Sequence, residues 1–267
     1  MAFTRLGLLG PAGSGKDLVG DWFVQKGFIK VAFADPMKRF AQKAFGFTIE
    51  QLWGSSEQRN HVQAVDVDWW LRGMGRLGMA FEEIEPVLKP GQRVLSYLSL
   101  VNWYSQLGVE HKNEISARIV LQTIGTEWGR NIDPLMWAKY AHKVAATLSK
   151  GAHSYTQVEG LKELRSSPHI SRGVVIPDHR FINELETTQR VGGYVIRLRR
   201  LAQEERTVGL IGHQSETEQK TIQDDAFDLV LELQEGVEKV HAVLEAILEE
   251  AAWATKSQTG WQVHYRS

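Results

Sequence analysis

The chain contains no cysteine, which excludes disulfide bridges, thiolate metal sites and a cysteine nucleophile, and fits a reducing cytoplasm. It offers no run of about 18 uninterrupted apolar residues, so no membrane-spanning helix is expected. The N-terminus enters a strand-like run almost at once, without a basic region and a long apolar stretch, so a soluble, unexported protein is expected. Neither sign of charge prevails: 31 lysines and arginines face 32 acids, for a formal net charge of −1. No global basic field therefore argues for nucleic acid, and a small substrate is expected. No two histidines have metal-ligand spacing, and no Ser/His/Asp set follows a nucleophile-elbow pattern, so a hydrolase reading gains nothing. The 267 residues, 43% of them hydrophobic, suit one sizeable α/β domain with insertions, the reading adopted for 1–267, better than two small domains.

What is present begins at Gly10. Gly10-Pro11-Ala12-Gly13-Ser14-Gly15-Lys16-Asp17 follows the apolar run Leu6-Gly7-Leu8-Leu9 and fits the P-loop spacing G-x-x-x-x-G-K-[ST] at every position but the last, which is Asp17. Glycines let the backbone turn its N–H groups inward, and a helix starting near Lys16 adds the positive end of its dipole. Such a loop welcomes phosphate oxygens. Lys16 would reach the β- and γ-phosphates of a nucleotide as a point charge. The bland alternative, a glycine-rich turn that binds nothing, is disfavoured by the preceding strand, by the lysine, and by the amphipathic stretch holding Leu18, Val19, Trp22 and Phe23.

Further along, Val31-Ala32-Phe33-Ala34 reads as a second strand. Asp35-Pro36 then opens a helix with Met37, Phe40, Ala41 and Ala44 on one face. From about 53 to 116 the period is lost, with Trp69-Trp70 and the glycine-rich 73–78, and an insertion is expected. Helices are expected at 114–124 and 134–148, with a polar loop at 125–130 between them. Residues 150–171 read as a surface connection. Val174-Val175-Ile176 reads as a buried parallel strand ending in Pro177-Asp178-His179-Arg180. A helix over 183–190 stops at Gly192-Gly193, and Tyr194–Leu198 gives another strand. A polar segment of about 199–223 reads as a lid. A last strand at 229–231 precedes a helix carrying Val237, Val240, Val243, Leu244 and Ile247. Strands alternating with helices predict a parallel sheet flanked by helices, with its ligand cleft at the carboxyl ends of the strands.

A second constellation lies at one of those ends. Asp178 could orient a magnesium-bound water or an acceptor, or simply cap the next helix. Arg180 beside it suits a clamp on phosphate, and Arg199, Arg200 and Arg206 could close over a transferring group. Arg197, inside a strand, reads as solvated. Trp69-Trp70 reads as packing against the host domain or a second subunit. His213 is undecided, and Ser215 and Glu218 have capping-box spacing.

Together these residues resemble the bacteriophage deoxynucleoside monophosphate kinases, within the adenylate-kinase-like P-loop superfamily. The likeness rests on Ser14–Asp17, Phe33–Lys38, Leu121–Arg130 and Ile176–Glu184, with a weaker match at His213–Glu216. It covers most of the chain outside the insertion. That family tolerates Asp after the lysine. The resemblance implies that Gly13, Ser14, Gly15, Lys16, Asp17 and Leu18 hold ATP. It places Asp35, Lys38, Gly125, Thr126 and Arg130 at the monophosphate pocket, Trp137 on the acceptor base, and Asp178, Arg180 and Glu184 on its phosphate and sugar. Ala12 and Gly13 stand where some relatives carry basic residues.

The reaction expected is in-line transfer of the γ-phosphoryl of ATP to the 5′-phosphate of a dNMP, with Lys16, Asp17, Arg180 and Arg199 as the catalytic set. Mg2+ bridges the phosphates, with Asp17 and Asp178 as its protein ligands. The acceptor phosphate is a nucleophile at neutral pH and needs no covalent intermediate. Two alternatives stay open: a dephospho-coenzyme A kinase-like enzyme, with Asp35 as base for a ribose hydroxyl, and a P-loop nucleotide switch without an acceptor. The resemblance and the Trp-rich insertion also raise the expectation of a homodimer.

Overall fold

The apolar run ahead of the glycines forms strand β1 (Thr4–Leu9), followed by helix α1 (Lys16–Gln25), strand β2 (Phe28–Lys30) and helix α2 (Asp35–Phe45). Short helices α3 (Ile49–Trp53) and α4 (Ser56–Asn60) and strand β3 (Val62–Ala64) lead to the long helices α5 (Val67–Phe81) and α6 (Arg93–Glu110). Strand β4 (Glu114–Ser116) and helices α7 (Ala117–Thr123) and α8 (Met136–Leu148) come next. Strands β5 (His153–Val158), β6 (Leu161–Ser166) and β7 (Gly173–His179), helix α9 (Ile182–Arg190), and strands β8 (Tyr194–Arg200) and β9 (Leu229–Leu233) complete the order. The computed structural model describes residues 4–11, 13–89, 91–158, 161–200, 219, 221–233, 239–242 and 244–245.

Two compact units emerge. The first comprises Met1–Ala32, Leu148–Gly151 and His169–Ser267. It holds a five-stranded sheet in the order β2-β7-β1-β8-β9, with every pairing parallel. Parallel strands joined by helices must be covered on both faces, and here they are. Leu6, Leu8, Ile196, Leu198 and Leu231 pack with Val19, Trp22 and Phe23 of α1 and with Val240 and Leu244. On the other face, Leu9 and Val195 pack with Leu185 of α9, Ile222 and Phe227. The expected class, an α/β parallel sheet flanked by helices, is thus observed. β1 sits in the middle, and strand order reverses across it, since β2 and β7 lie to one side and β8 and β9 to the other. In such sheets ligands bind outside the carboxyl ends of the strands at this switch point.

The second unit, Phe33–Thr147 with Ala152–Pro168, is mainly helical. α2 packs on α5, and α5 on α6. Its core is aromatic: Phe45 stacks on Phe47 at 5.8 Å and lies 5.2 Å from Tyr104 and 6.2 Å from Trp103. Two antiparallel pairs, β3–β4 and β5–β6, complete it.

Several expected elements are corrected. The second strand lies at Phe28–Lys30 rather than 31–34, because the backbone N–H of Val31 makes the last bond to β7, at Val175 O. The glycine-rich 73–78 stretch lies inside α5 instead of breaking it. A Cβ at Gly73 would stand 2.0 Å from the Tyr104 hydroxyl, so glycine there lets α6 approach, and packing outweighs propensity. Residues 114–116 form β4 rather than a helical turn, and 124–130 continue α7 as a wider π-type coil rather than a loop. The connection expected at 150–171 is largely the β5–β6 hairpin. Trp69 and Trp70 turn inward onto Phe45, at 5.7 and 6.1 Å. Most of the expected lid, with Arg206 and His213, lies outside the described residues, as do Ala12 and the side chain of Arg200; the expected final helix is described at 239–242 and 244–245.

Candidate functional site

The loop after β1 is shaped by three glycines, each for its own reason. Gly13 and Gly15 have φ of 78° and 93°, the left-handed region that side chains resist. Gly10 is required by space, since a Cβ would meet Ser14 Oγ at 2.5 Å and the Leu198 carbonyl at 2.6 Å. Ser14 is fully buried, and its N–H donates to Pro11 O at 3.2 Å, closing the turn. Gly15 caps α1 without a side-chain acceptor, so the first-turn N–H groups of this helix have no cap from its own N-cap side chain. Lys16 folds its ammonium back over the loop, donating to the carbonyls of Gly10 and, at 2.6 Å, Pro11. Leu18 anchors the helix start on the sheet core.

Asp17 lies in the first turn of α1 with its side chain 91% exposed, 3.4 Å from Lys30 Nζ. Lys30 also pairs with Asp21 at 2.8 Å. Burial would lower the Lys30 pKa, but the hydrogen bond to Asp21 and the two carboxylates outweigh it and raise it above the ordinary lysine value.

Beside this loop stand the ends of β7 and β8. Leu9 of β1 is in register with His179 on one side and Arg197 on the other. Asp178 is half-buried and Arg180 exposed. Glu184 is buried, and its Oε2 accepts the backbone N–H groups of Arg180 (2.9 Å) and Phe181 (3.1 Å). It therefore sets the turn that carries Arg180. On β8, Arg197 and Arg199 both donate to Asp224 Oδ1, at 2.9 and 2.6 Å.

Arg197 is not the solvated arginine that its strand position suggests: its side chain is 13% exposed. Its guanidinium also donates to Ile222 O at 2.6 Å and lies over the Phe227 ring at 5.1 Å. Burial and the neighbouring Arg199 lower its pKa from the ordinary arginine value.

The remaining expected residues lie in the helical unit. Asp35, 1% exposed in the first turn of α2, accepts the Tyr155 hydroxyl on Oδ2 at 2.9 Å. Burial, then the Asp35 charge, pushes the Tyr155 phenol well above its ordinary range. Lys38 lies over the Trp53 ring at 5.3 Å. Gly125, Thr126 and Arg130 belong to the π-type segment 124–130, a geometry that recurs at functional sites. Arg130 donates to Pro134 O at 3.0 Å. Trp137, expected to stack on a base, is 3% exposed and packs as core. Its indole N–H donates to Gly125 O at 2.9 Å, and its ring fills the space that a Cβ at Gly129 would take.

Three features escaped the sequence reading. Tyr155 sits in a hairpin whose only signal was the alternation His153-Ser154-Tyr155-Thr156. The Arg197/Asp224 link spans a long gap in sequence and carries no local signature. His179 is fully buried, with Nε2 2.8 Å from the Thr188 hydroxyl and Nδ1 3.2 Å from Ile176 O. Its ring occupies the place of a Cβ at Gly7, so Gly7 and His179 were legible only as a pair.

A parallel sheet with a central glycine–lysine loop, flanked by arginines at the adjacent strand ends, defines the site as that of a P-loop kinase-like α/β fold. The chain matches no protein-family model. It is 24% identical over 251 residues to a protein of Acanthamoeba polyphaga mimivirus named "Putative deoxynucleotide monophosphate kinase", covering 92% of this chain and 97% of that one.

Proposed function

We propose that this protein is a nucleotide kinase that transfers the γ-phosphoryl group of ATP to the 5′-phosphate of a deoxynucleoside monophosphate. The observation that carries the proposal is the loop at the switch point, with Gly13 and Gly15 in the left-handed region and Lys16 held over its rim. The viral relative supports it, because the similarity runs along nearly the whole of both chains and its name is that of such a kinase. On the motif resemblance alone, Asp35, Lys38, Gly125, Thr126 and Arg130 are assigned to the acceptor side. Asp178 and Arg180 are assigned to its phosphate.

In this reading an acceptor phosphate oxygen attacks the γ-phosphorus in line while the bond to the β-bridging oxygen breaks. Lys16 leaves the Gly10 and Pro11 carbonyls for the phosphates, exchanging neutral acceptors for anionic ones. Arg180 and Arg199 offset charge on the transferring group, and Glu184 keeps Arg180 in place through the backbone. Magnesium, when bound, would screen the β- and γ-oxygens. The exposed carboxylate of Asp17 and the half-buried Asp178 are the oxygen donors that suit it. No enzyme nucleophile is needed, so catalysis rests on positioning and electrostatics.

The test is ADP production from Mg-ATP with each deoxy- and ribonucleoside monophosphate in turn, with dephospho-coenzyme A and an acceptor-free blank alongside. Activity confined to monophosphates is expected. Turnover with dephospho-coenzyme A alone, or slow hydrolysis indifferent to any acceptor, would replace this reading with another.

A further inference from the structure

Asp17 stands where a P-loop normally carries a neutral hydroxyl. In the empty protein the helix dipole favours a carboxylate in the first turn of α1, but a nucleotide brings several more negative charges to the same place. A cation is built in beside it. β2 runs parallel to β7 and β7 to β1, so Lys30, the last residue of β2, lies at the carboxyl ends of the strands, where the loop after β1 also lies. Asp17, Gly20 and Asp21, spaced i, i+3 and i+4, share one face of α1. The Lys30 side chain crosses that face, and its ammonium meets Asp21 Oδ1 at 2.8 Å and Asp17 Oδ1 at 3.4 Å. Gly20 gives the crossing room, since a Cβ there would stand 3.3 Å from Lys30 Cε and 3.8 Å from its Nζ. A glycine inside a helix lowers its stability, and space for this lysine is what offsets the loss.

We propose that Lys30 is a positioning residue of the nucleotide site: it neutralises Asp17 in the empty and metal-free states, releases that carboxylate to the divalent cation of a bound nucleotide, and remains anchored on Asp21. The inference rests on the kinase reading, because it takes the loop as a nucleotide site and Asp17 as a carboxylate that suits magnesium. Geometry gives the two aspartates different parts. Asp21 holds the shorter bond, whereas Asp17 holds the longer one with its side chain 91% exposed, and so weak a pair exchanges partners readily. Charge gives the direction. Without the lysine, Asp17 would repel metal-free ATP, and its carboxylate would be open to the metal with no partner to exchange. Lys30 thus favours the metal-free complex over the metal-loaded one, and removing it should sharpen the dependence of ATP binding on the metal.

Equilibrium binding of a fluorescent ATP analogue, N-methylanthraniloyl-ATP, in EDTA and in saturating Mg2+ tests this without any acceptor. The readout is the ratio of the two dissociation constants, compared between variants so that metal–ATP association in solution cancels. Lys30→Met should raise the metal-free to metal-loaded ratio roughly tenfold over the wild type. By reciprocity it should tighten Mn2+ on the ATP complex by the same factor, read by electron paramagnetic resonance. Lys30→Arg, which keeps the charge, should restore the wild-type ratio. In an Asp17→Ser background, where a neutral hydroxyl replaces the carboxylate, Lys30→Met should lose its effect. Asp21→Asn leaves Lys30 to Asp17 alone and should move the ratio the opposite way; at a side chain 64% exposed, it keeps the test decisive where Lys30→Met fails to fold. A lysine that merely ties β2 to α1 would change stability and leave the ratio unmoved. That result, or an equal effect of Lys30→Met with and without Asp17, would overturn the proposal while ATP binding leaves the kinase reading standing. A wild type that binds no ATP analogue would overturn both.

Discussion

Charge is handled in opposite ways in the two units of this molecule. Around the phosphate loop the ionic pairs reach solvent: Asp17, 91% exposed, meets Lys30 only at 3.4 Å, and Arg199 and Asp224 pair at 2.6 Å with both side chains partly exposed. In the helical unit one network is buried and tightly held. Arg39 donates to Glu83 at 2.6 Å, to Lys162 O at 2.5 Å and to the Tyr140 hydroxyl at 2.7 Å, and Asp35 holds Tyr155. Exposed pairs contribute about 0–1 kcal/mol and exchange partners readily, whereas breaking a buried pair costs about 3–5 kcal/mol. The first arrangement suits groups that must trade protein partners for phosphate. The second fixes a framework, tying α2, α8 and the β5–β6 hairpin into one body.

The largest test of this contrast is Arg39→Ala, which should destabilise the protein by about 3–5 kcal/mol, because Glu83 loses one of its two cationic partners and the Lys162 carbonyl and Tyr140 hydroxyl lose their buried donor. Denaturant unfolding would measure it, and a loss below about 1 kcal/mol would mean that the network is as loosely held as the surface pairs. Acid should weaken the same network. Burial would raise the Glu83 pKa, but Lys43 and Arg39 outweigh it and hold it below the ordinary value of 4.5. A depressed carboxylate contributes stability that is present above 4.5 and lost as pH falls through its lower folded value. The wild type should therefore lose stability below pH 4.5 more steeply than Glu83→Gln does.

Tyr155→Phe removes one buried hydrogen bond to a carboxylate and should cost about 1.5–3 kcal/mol. If Asp35 serves the acceptor, KM for the monophosphate should also rise while KM for ATP stays constant; equal changes in both would make Tyr155 a purely structural tie. The smallest effect is expected at Asp224. Asp224→Asn should change stability by less than about 1 kcal/mol. It should also tighten ATP binding by freeing Arg199, and weaker binding would show that Asp224 orients the arginine rather than competing for it.

Legibility followed how locally each feature is specified. The P-loop, the Asp35-Pro36 helix start and the Val174–Ile176 strand were readable because glycine conformation, proline at a helix start and an apolar run act over a few residues. Gly73–Gly78 misled because their helix is stabilised by Tyr104, about thirty positions away in sequence. The loop expected at 125–130 misled for a similar reason: Gly125 and Gly129 make room for Met37 and Trp137, and their backbone stays helical. Tyr155 and Asp224 join the candidate network through contacts distant in sequence, which no local pattern announces. Helix α6 lay within a stretch that had no clear period, because a helix with Leu95 and Leu98 exposed and Leu100 and Leu107 buried is apolar on two sides.

The proposed kinase chemistry turns on the glycine–lysine loop delivering phosphate to a nucleotide acceptor. Its most direct test follows label from γ-32P-ATP into product, with a deoxynucleoside monophosphate as acceptor, for the wild type and for Lys16→Ala. Labelled deoxynucleoside diphosphate is expected from the wild type and about 10³-fold less from a folded Lys16→Ala. Label appearing only as inorganic phosphate, or transfer undiminished in Lys16→Ala, would contradict it.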